Sequence, residues 1–529
     1  MKKALANFIP LAWMFFYALF LITFIPGIMF IFFGSRIGLS PILLPLITLT
    51  LALPVLIGGW RITGRISGYI SEKAHRRILI IFMVLSAVVQ LYIGNRLRFV
   101  PMWDVEAIFH GGRMWAITGS LDNYRYAFGG TYLQYMARKS VQWGGAFLFR
   151  TLFQVYSFFG GTDLHYPALV WNVAMVQVMV FAIYSAAKRI KGLQAGMYVL
   201  FLLTIFLPFH FFGGVYYTDT LSMPFVAIAF SLYLRGKDEG TLKKKLLFFA
   251  IAGVAAAIGG VLKGTAIIIF IAIIIDLLLT MEKGWKQRLL SAGAMIIAFL
   301  LVYGGFYMYM SRVVIGPELT ARYRLPRTLW MMMGLEGYGQ YNTNDYRHIT
   351  YLPNVAARQS EATRIFNERL RGHGVRGMAN LWSAKMTINF GDGTFEMHRI
   401  YHLAPVNQSP MHDMVLSHGR YFNAYLHVAT GFTTAMYLLM VAAAFRAFIR
   451  PGRHKHTAVP WLSIFGLMLL LTFWESGGRL SMSYFSVLVI GAIIGISTIE
   501  PLIAAFYKNF PRKGVFPASA DFTKNNEWC

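Results

Sequence analysis

Apolar runs of about 20 residues recur along most of the chain, each long enough to cross a hydrocarbon layer of roughly 30 Å as a helix. They fall at 8–33, 41–59, 78–97, 166–187, 196–213, 220–235, 246–262, 265–281, 289–311, 421–446, 458–474 and 480–499. The ~10-residue alternation of a transmembrane barrel is absent. The pattern predicts an all-α, polytopic membrane protein with about twelve transmembrane helices. Two long stretches, 95–166 and 311–420, break the rhythm. Within the first, 105–118 and 143–159 read as helices at the membrane interface, the latter interrupted by Arg150. Within the second, 355–371 has amphipathic helical spacing and is expected to stop at Gly372-His373-Gly374, and Gly391-Asp392-Gly393-Thr394 marks a turn. Neither stretch is of low complexity, and no internal repeat is visible.

Composition supports this reading. The 529 residues are 57% hydrophobic, 16% aromatic and only 13% charged, against a charged share near a quarter in soluble domains. The formal charge of +27 would suit nucleic acid were the cations spread over a soluble surface. Instead they gather in short loops, around Arg61–Arg77, Lys188–Lys191, Arg235–Lys245, Lys283–Arg288, Arg446–Lys455 and Lys508–Lys513. Such clusters are topology signals that favour the cytoplasmic side. With both termini inside, all of them fall on one face, and 95–165 and 311–420 lie outside. The expected organisation is an N-terminal two-helix segment (1–77), a membrane core (78–310) carrying an outer loop (95–165), an extracytoplasmic region (311–420), C-terminal membrane helices (421–506) and a cytoplasmic tail (507–529). The apolar run at 8–33 is too long for a signal-peptide core and reads as a retained span. The lone cysteine, Cys529, gives neither a disulfide framework nor a Cys-based metal site.

Polar residues that would be costly near a bilayer collect on the outer face. Asp104 and Glu106 follow the third run. They form either a working carboxylate pair or a counterweight to Arg96 and Arg98. Asp219, in the turn between the fifth and sixth runs, suits a helix N-cap and a second role as well. Lys263 sits at the turn of a tight apolar hairpin, where an intramembrane cation is by default a functional candidate, although its stem can snorkel. Glu475 and Arg479 share the last outer turn, either as an ion pair or with Arg479 offering its fork to phosphate oxygens. His373, His398, His402, His412 and His418 crowd the second segment. His398 and His402 have a metal-compatible spacing, though ordinary polar roles account for them. No phosphate-binding glycine loop, nucleophile elbow or dinucleotide fingerprint occurs.

Several short motifs share one order and one face: Trp103-Asp-Val-Glu106, Trp143-Gly-Gly-Ala-Phe-Leu-Phe149 through Phe159-Gly-Gly161, Tyr217-Thr-Asp-Thr-Leu221, Leu262-Lys-Gly-Thr-Ala266, and Trp474-Glu475 through Arg479. In this the chain resembles the GT-C superfamily of multispanning glycosyltransferases, including the protein mannosyltransferase and aminoarabinose transferase families. The resemblance covers roughly 78–310 and 458–500.

It implies a GT-C-like fold in a plasma membrane, with an extracytoplasmic active site. The donor would be a polyprenyl-phosphate-linked sugar and the acceptor a hydroxyl on a glycan, lipid or protein, among membrane lipids and without nucleic acid. Asp104 would be the general base of an inverting displacement. Lys263 and Arg479 would stabilise the leaving phosphate. Glu106 and Asp219, with Glu475 nearby, would bind substrate. No cofactor is demanded, and a divalent cation at Glu106 or Asp219 is the one addition admitted. The rivals are a transporter or flippase for lipid-linked anionic glycans, a glycan polymerase or ligase, and a non-enzymatic assembly partner.

Overall fold

The computed structural model describes residues 2–33, 43–122, 125–126, 130–280, 284–450 and 458–509. The expected tail lies, from residue 510 onward, outside the described residues, as does Cys529. Among the described residues the chain is helical without a β-strand; two isolated bridges, Phe99 with Pro405 and Arg125 with Thr131, are the nearest approach to one. It is an integral membrane protein of the helical, multi-pass kind.

Among the described residues, eight helices are long and apolar enough to cross a membrane: Ile9–Ile31, Leu46–Tyr69, Glu72–Arg96, His165–Ile205, Leu242–Leu262, Trp285–Val314, Phe422–Ile449 and Gly478–Leu502. The segments read from the sequence at 166–187 and most of 196–213 are joined in one element, His165–Ile205, broken at Lys191 and Gly192. The segment at 220–235 forms the helix Thr218–Asp238, and those at 265–281 and 458–474 form shorter apolar helices.

The helix ends set the direction of the bundle. Glu72 opens the helix that leads to Asp104 and pairs with Lys188. Asp238 closes the helix that begins beside Asp219 and pairs with Arg189 at 3.0 Å. The basic break at 188–192 therefore lies at the end of the bundle opposite Asp104 and Asp219.

Both long segments fold into helices on the Asp104 face. The first contains Trp103–Thr118, Tyr132–Arg138 and Trp143–Phe158. The Trp143–Phe158 helix comes so close to the Leu242–Leu262 helix that a Cβ at Gly144 would lie 2.3 Å from the Val261 carbonyl oxygen. Only glycine permits that approach, which brings Gln142 and Lys263 to one place. Phe99, Phe109, Phe149, Phe153 and Tyr216 pack between these elements, with Phe99 stacked on Tyr216 at 5.0 Å and Phe109 edge-on to Phe153 at 5.1 Å. Aromatic pairs of this kind add about 0.5–1.5 kcal/mol each beyond area burial.

In the second segment, the helix expected to stop at Gly374 only breaks there. Gly374 takes a left-handed φ of 55°, and the helix Val355–Phe390 continues for four more turns. Its second half is apolar enough to bury Leu381, Met386, Ile388 and Phe390, which outweighs the local stop signal. The two segments are tied together: Val100 N–H donates to Ala404 O and Val406 N–H to Arg98 O, both at 2.9 Å.

Candidate active site

Asp104 occupies the first turn of Trp103–Thr118, where the helix macrodipole favours an anion. The residue before it, Trp103, adopts a left-handed φ of 54°, a conformation costing a bulky residue on the order of 1–3 kcal/mol. The Tyr126 hydroxyl donates to the Trp103 carbonyl at 2.9 Å and holds this bend.

Tyr132 and Tyr135 share one helix face, and Lys139, the residue capping that helix's C-terminus, follows them. That face meets the carboxylates. The Tyr135 hydroxyl and the Lys139 ammonium donate to Asp104 Oδ1 at 2.5 and 2.7 Å, and the Tyr132 hydroxyl donates to Glu106 Oε1 at 3.2 Å. Asp104 and Glu106 thus stand side by side with different partners. Arg98, the expected counterweight, makes a bidentate pair with Asp163 at 2.8 and 2.9 Å instead. Arg96 lies over the Tyr92 ring.

From Asp104 the contacts continue without a gap. Gln142 Nε2 donates to Asp104 Oδ2 at 3.2 Å and to the Tyr217 hydroxyl at 3.3 Å. The Arg479 guanidinium lies over the Tyr217 ring, 5.4 Å from its centre, and donates to Asp219 Oδ2 at 3.4 Å. Lys263 pairs with Asp219 Oδ1. Five separate stretches of chain therefore converge on one cluster. Asp219 sits in the first turn of Thr218–Asp238 but caps no backbone N–H; its carboxylate, 2% exposed, is the anion shared by both cations. Of those cations Arg479 is the more open, with 28% of its side chain exposed against 10% for Lys263. Asp104 keeps 31% of its side chain exposed.

Glu475 is not paired with Arg479: no ion pair or hydrogen bond to its carboxyl occurs among the described residues. It faces the charges of Arg479, Lys139, Asp104 and Lys263. The two carboxyls are tuned in opposite senses. For Asp104, burial opposes ionisation, but the Lys139 charge and hydrogen bond, the Tyr135 hydroxyl and Arg479 together hold it below the usual carboxylate range. For Glu475, burial dominates and raises it. The surroundings of Asp104 thus favour its anion, with Oδ2 only weakly engaged, whereas burial disfavours the anion at Glu475.

The sequence reading assigned no role to Tyr135, Lys139, Gln142, Tyr341 or Tyr346. Lys139 lies 5.5 Å from the centre of the Tyr346 ring, and Tyr341 interacts with Lys139, Asp104 and Glu475. One signal for Lys139 was available: it stands in a segment assigned to the face that the basic clusters avoid. The tyrosines carried no such mark. Among the described residues no group of three His, Cys, Asp or Glu side chains is arranged to hold a metal ion. His402 and His418 instead lie ring to ring, 5.9 Å apart.

Comparable helical arrangements occur in solved structures. The archaeal oligosaccharyltransferase AglB from Archaeoglobus fulgidus, in complex with an inhibitory peptide and a dolichol-phosphate, matches at 12% identity and a TM-score of 0.43, over 82% of this chain and 51% of that one. ArnT from Cupriavidus metallidurans, bound to undecaprenyl phosphate, matches at 13% identity and a TM-score of 0.35, over 80% of this chain and 77% of that one. The chain thus spans about half the length of the oligosaccharyltransferase. No curated protein matches it. A family model described as "conserved hypothetical integral membrane protein" matches residues 168–498, and the chain belongs to that family.

Proposed function

We propose that the protein is a membrane glycosyltransferase that moves a sugar from a polyprenyl-phosphate-linked donor to a hydroxyl acceptor on the extracytoplasmic face of a plasma membrane. The observation that carries this reading is the continuous line of contacts from Asp104 through Gln142 and Tyr217 to Arg479. It sets a partly exposed carboxylate and a partly exposed guanidinium in one cluster at the end of the bundle away from the basic break. A displacement at an anomeric carbon needs a proton acceptor for the attacking hydroxyl and a cation for the leaving phosphate, and these are the two groups offered.

In this mechanism the acceptor oxygen forms a bond to the anomeric carbon while the bond from that carbon to the phosphate oxygen breaks. The bonding pair leaves on the phosphate, and the hydroxyl proton passes to Asp104 Oδ2. One displacement inverts the anomeric centre. Phosphate is a weak base, so no general acid is required. Arg479 stabilises the developing negative charge. Lys263, neutralised by Asp219, keeps that carboxylate from cancelling the Arg479 charge outright. Glu106 and Glu475 border the space for the sugar and acceptor. Of the four site carboxylates, Asp104, Glu106 and Asp219 already hold cations or tyrosine hydroxyls, and Glu475 stands alone among the described residues. No step is therefore routed through a divalent cation.

The test is turnover by purified protein of a panel of polyprenyl-phosphate hexoses, with release of free polyprenyl phosphate followed by mass spectrometry. Asp104→Asn is expected to lower turnover by ~10²–10⁴-fold while the protein still elutes as a folded species. Wild-type turnover in that variant would remove Asp104 from the role of base.

A further inference from the structure

The turn that carries Glu475 and Arg479 has its backbone gripped by side chains from the second long segment. At one end, the Lys385 ammonium donates to the carbonyls of Leu471, Thr472 and Trp474 at 3.0, 2.9 and 2.6 Å. It thereby satisfies the free C-terminal carbonyls of the helix Val459–Phe473. In the middle, Asn389 Oδ1 accepts the Gly477 N–H at 2.8 Å. Residues 385 and 389 are one turn apart on the helix Val355–Phe390, so they share a face.

At the other end, the chain reverses through the Gly391–Thr394 turn and Glu396 comes back beneath the loop. The Asp392 carboxylate locks that reversal by accepting from Thr394 N, Thr394 Oγ1 and Glu396 N at 2.8, 2.6 and 2.9 Å. Phe395 and Glu396 are both left-handed, with φ of 56° and 50°. Two successive side-chain-bearing residues in that conformation are costly, and here they press the buried Glu396 side chain against the turn: a Cβ at Gly477 would lie 3.2 Å from Glu396 Oε2, and one at Gly478 3.0 Å from its Cγ. Oε2 of Glu396 has no hydrogen-bond partner among the described residues.

The same segment also supplies a backbone contact. Ser476 N–H donates to the Gly339 carbonyl at 2.6 Å. Gly339 is left-handed (φ 76°), and a Cβ there would lie 2.2 Å from Lys385 Cε. Contacts at 474, 476, 477 and 478 leave the Glu475 and Arg479 side chains as what the turn presents.

We propose that Lys385, Asn389 and Glu396 are positioning residues that preorganise Glu475 and Arg479, so that the second long segment sets how the site holds a phosphate. This rests on the reading of Arg479 as the phosphate cation. Fixing a guanidinium before the ligand arrives removes the ordering cost of binding.

The test uses the full-length protein in detergent with a polyprenyl phosphate as probe, comparing Asn389→Ala, Arg479→Ala and the double variant. Asn389→Ala is expected to weaken probe binding roughly fivefold, the equivalent of one hydrogen bond, and to speed hydrogen exchange across 475–479. Because it acts through Arg479, the double variant should bind no more weakly than Arg479→Ala alone. Glu396→Gln, which keeps an acceptor oxygen, should bind more tightly than Glu396→Ala. Independent losses that add in the double variant, or unchanged exchange across 475–479 in Asn389→Ala, overturn the proposal. If Arg479→Ala binds the probe like the wild type, the phosphate reading fails, and the exchange measurement alone decides whether the grip exists.

Discussion

The bundle carries a carboxylate cluster at each end of the helix Ile267–Thr280, and the two are built differently. At one end Asp276, fully buried, accepts from the Tyr233 hydroxyl, from Lys237 at 3.4 Å and from the Ala458 N–H at 2.8 Å. It ties three helices together and caps the start of Val459–Phe473. At the other end, Asp104 also holds a lysine and a tyrosine, yet about a third of its side chain stays open. Both carboxylates are ion-paired and hydrogen-bonded. What separates them is access: Asp276 spends its oxygens on structure, including a backbone donor, whereas Asp104 takes only side-chain donors and leaves one oxygen lightly held. Pairing alone therefore does not single out a carboxylate; what sets Asp104 apart is that its partners lead on into a larger cluster of charged groups while Oδ2 stays lightly held.

The largest effect that would break this contrast is one of stability. Asp276→Ala strands Lys237 and an uncapped helix start in the interior and should cost about 3–5 kcal/mol, the usual penalty for breaking a buried pair. In a detergent melting experiment it should unfold far below wild type, with Asp104→Asn close to wild type. Equal losses in the two variants would erase the distinction.

The next effect is on pH dependence. If Asp104 is the base, turnover requires its ionised form and is lost as pH falls through its lowered pKa. The acid limb then lies below the ordinary carboxylate range of about 4. Lys139→Met removes the chief interaction favouring the anion and should move that limb upward by roughly 1–3 units. A wild-type limb above the ordinary range, abolished by Glu475→Gln, would transfer the role of base to Glu475, whose burial raises its pKa.

The smallest effect concerns the bend before Asp104. Tyr126→Phe removes the hydroxyl that holds the left-handed Trp103 and should cost about 1 kcal/mol. Turnover should fall more than the melting temperature does. Adding Trp103→Gly, which accepts positive φ without strain, should recover part of that turnover; no recovery would mean that the bend does not aim Asp104.

Much of the candidate cluster was legible in the sequence. Charged residues stood out against apolar helices because a bilayer makes each of them costly, and so Asp104, Asp219, Lys263, Glu475 and Arg479 could be named. Their pairing could not. Arg98 was nearest Asp104 in sequence but pairs with Asp163, while Lys139, 35 residues on, takes its place. Tyr135, Gln142 and Tyr217 are ordinary residues whose hydroxyl and amide groups matter only because stretches far apart in the chain meet here.

The sequence by itself determined which stretches become helices in a membrane and which end of the bundle is basic. Those are properties of local hydrophobicity and of charge counted along the chain, and they need no knowledge of neighbours. Only the tertiary structure decided which cation meets which carboxylate, that the helix expected to end at Gly374 runs on to Phe390, and that Lys385, Asn389 and Glu396 pack against or bind the turn from Glu475 to Arg479. Those outcomes depend on side chains tens to hundreds of residues apart coming within 3 Å or so of each other, a distance set by how helices cross.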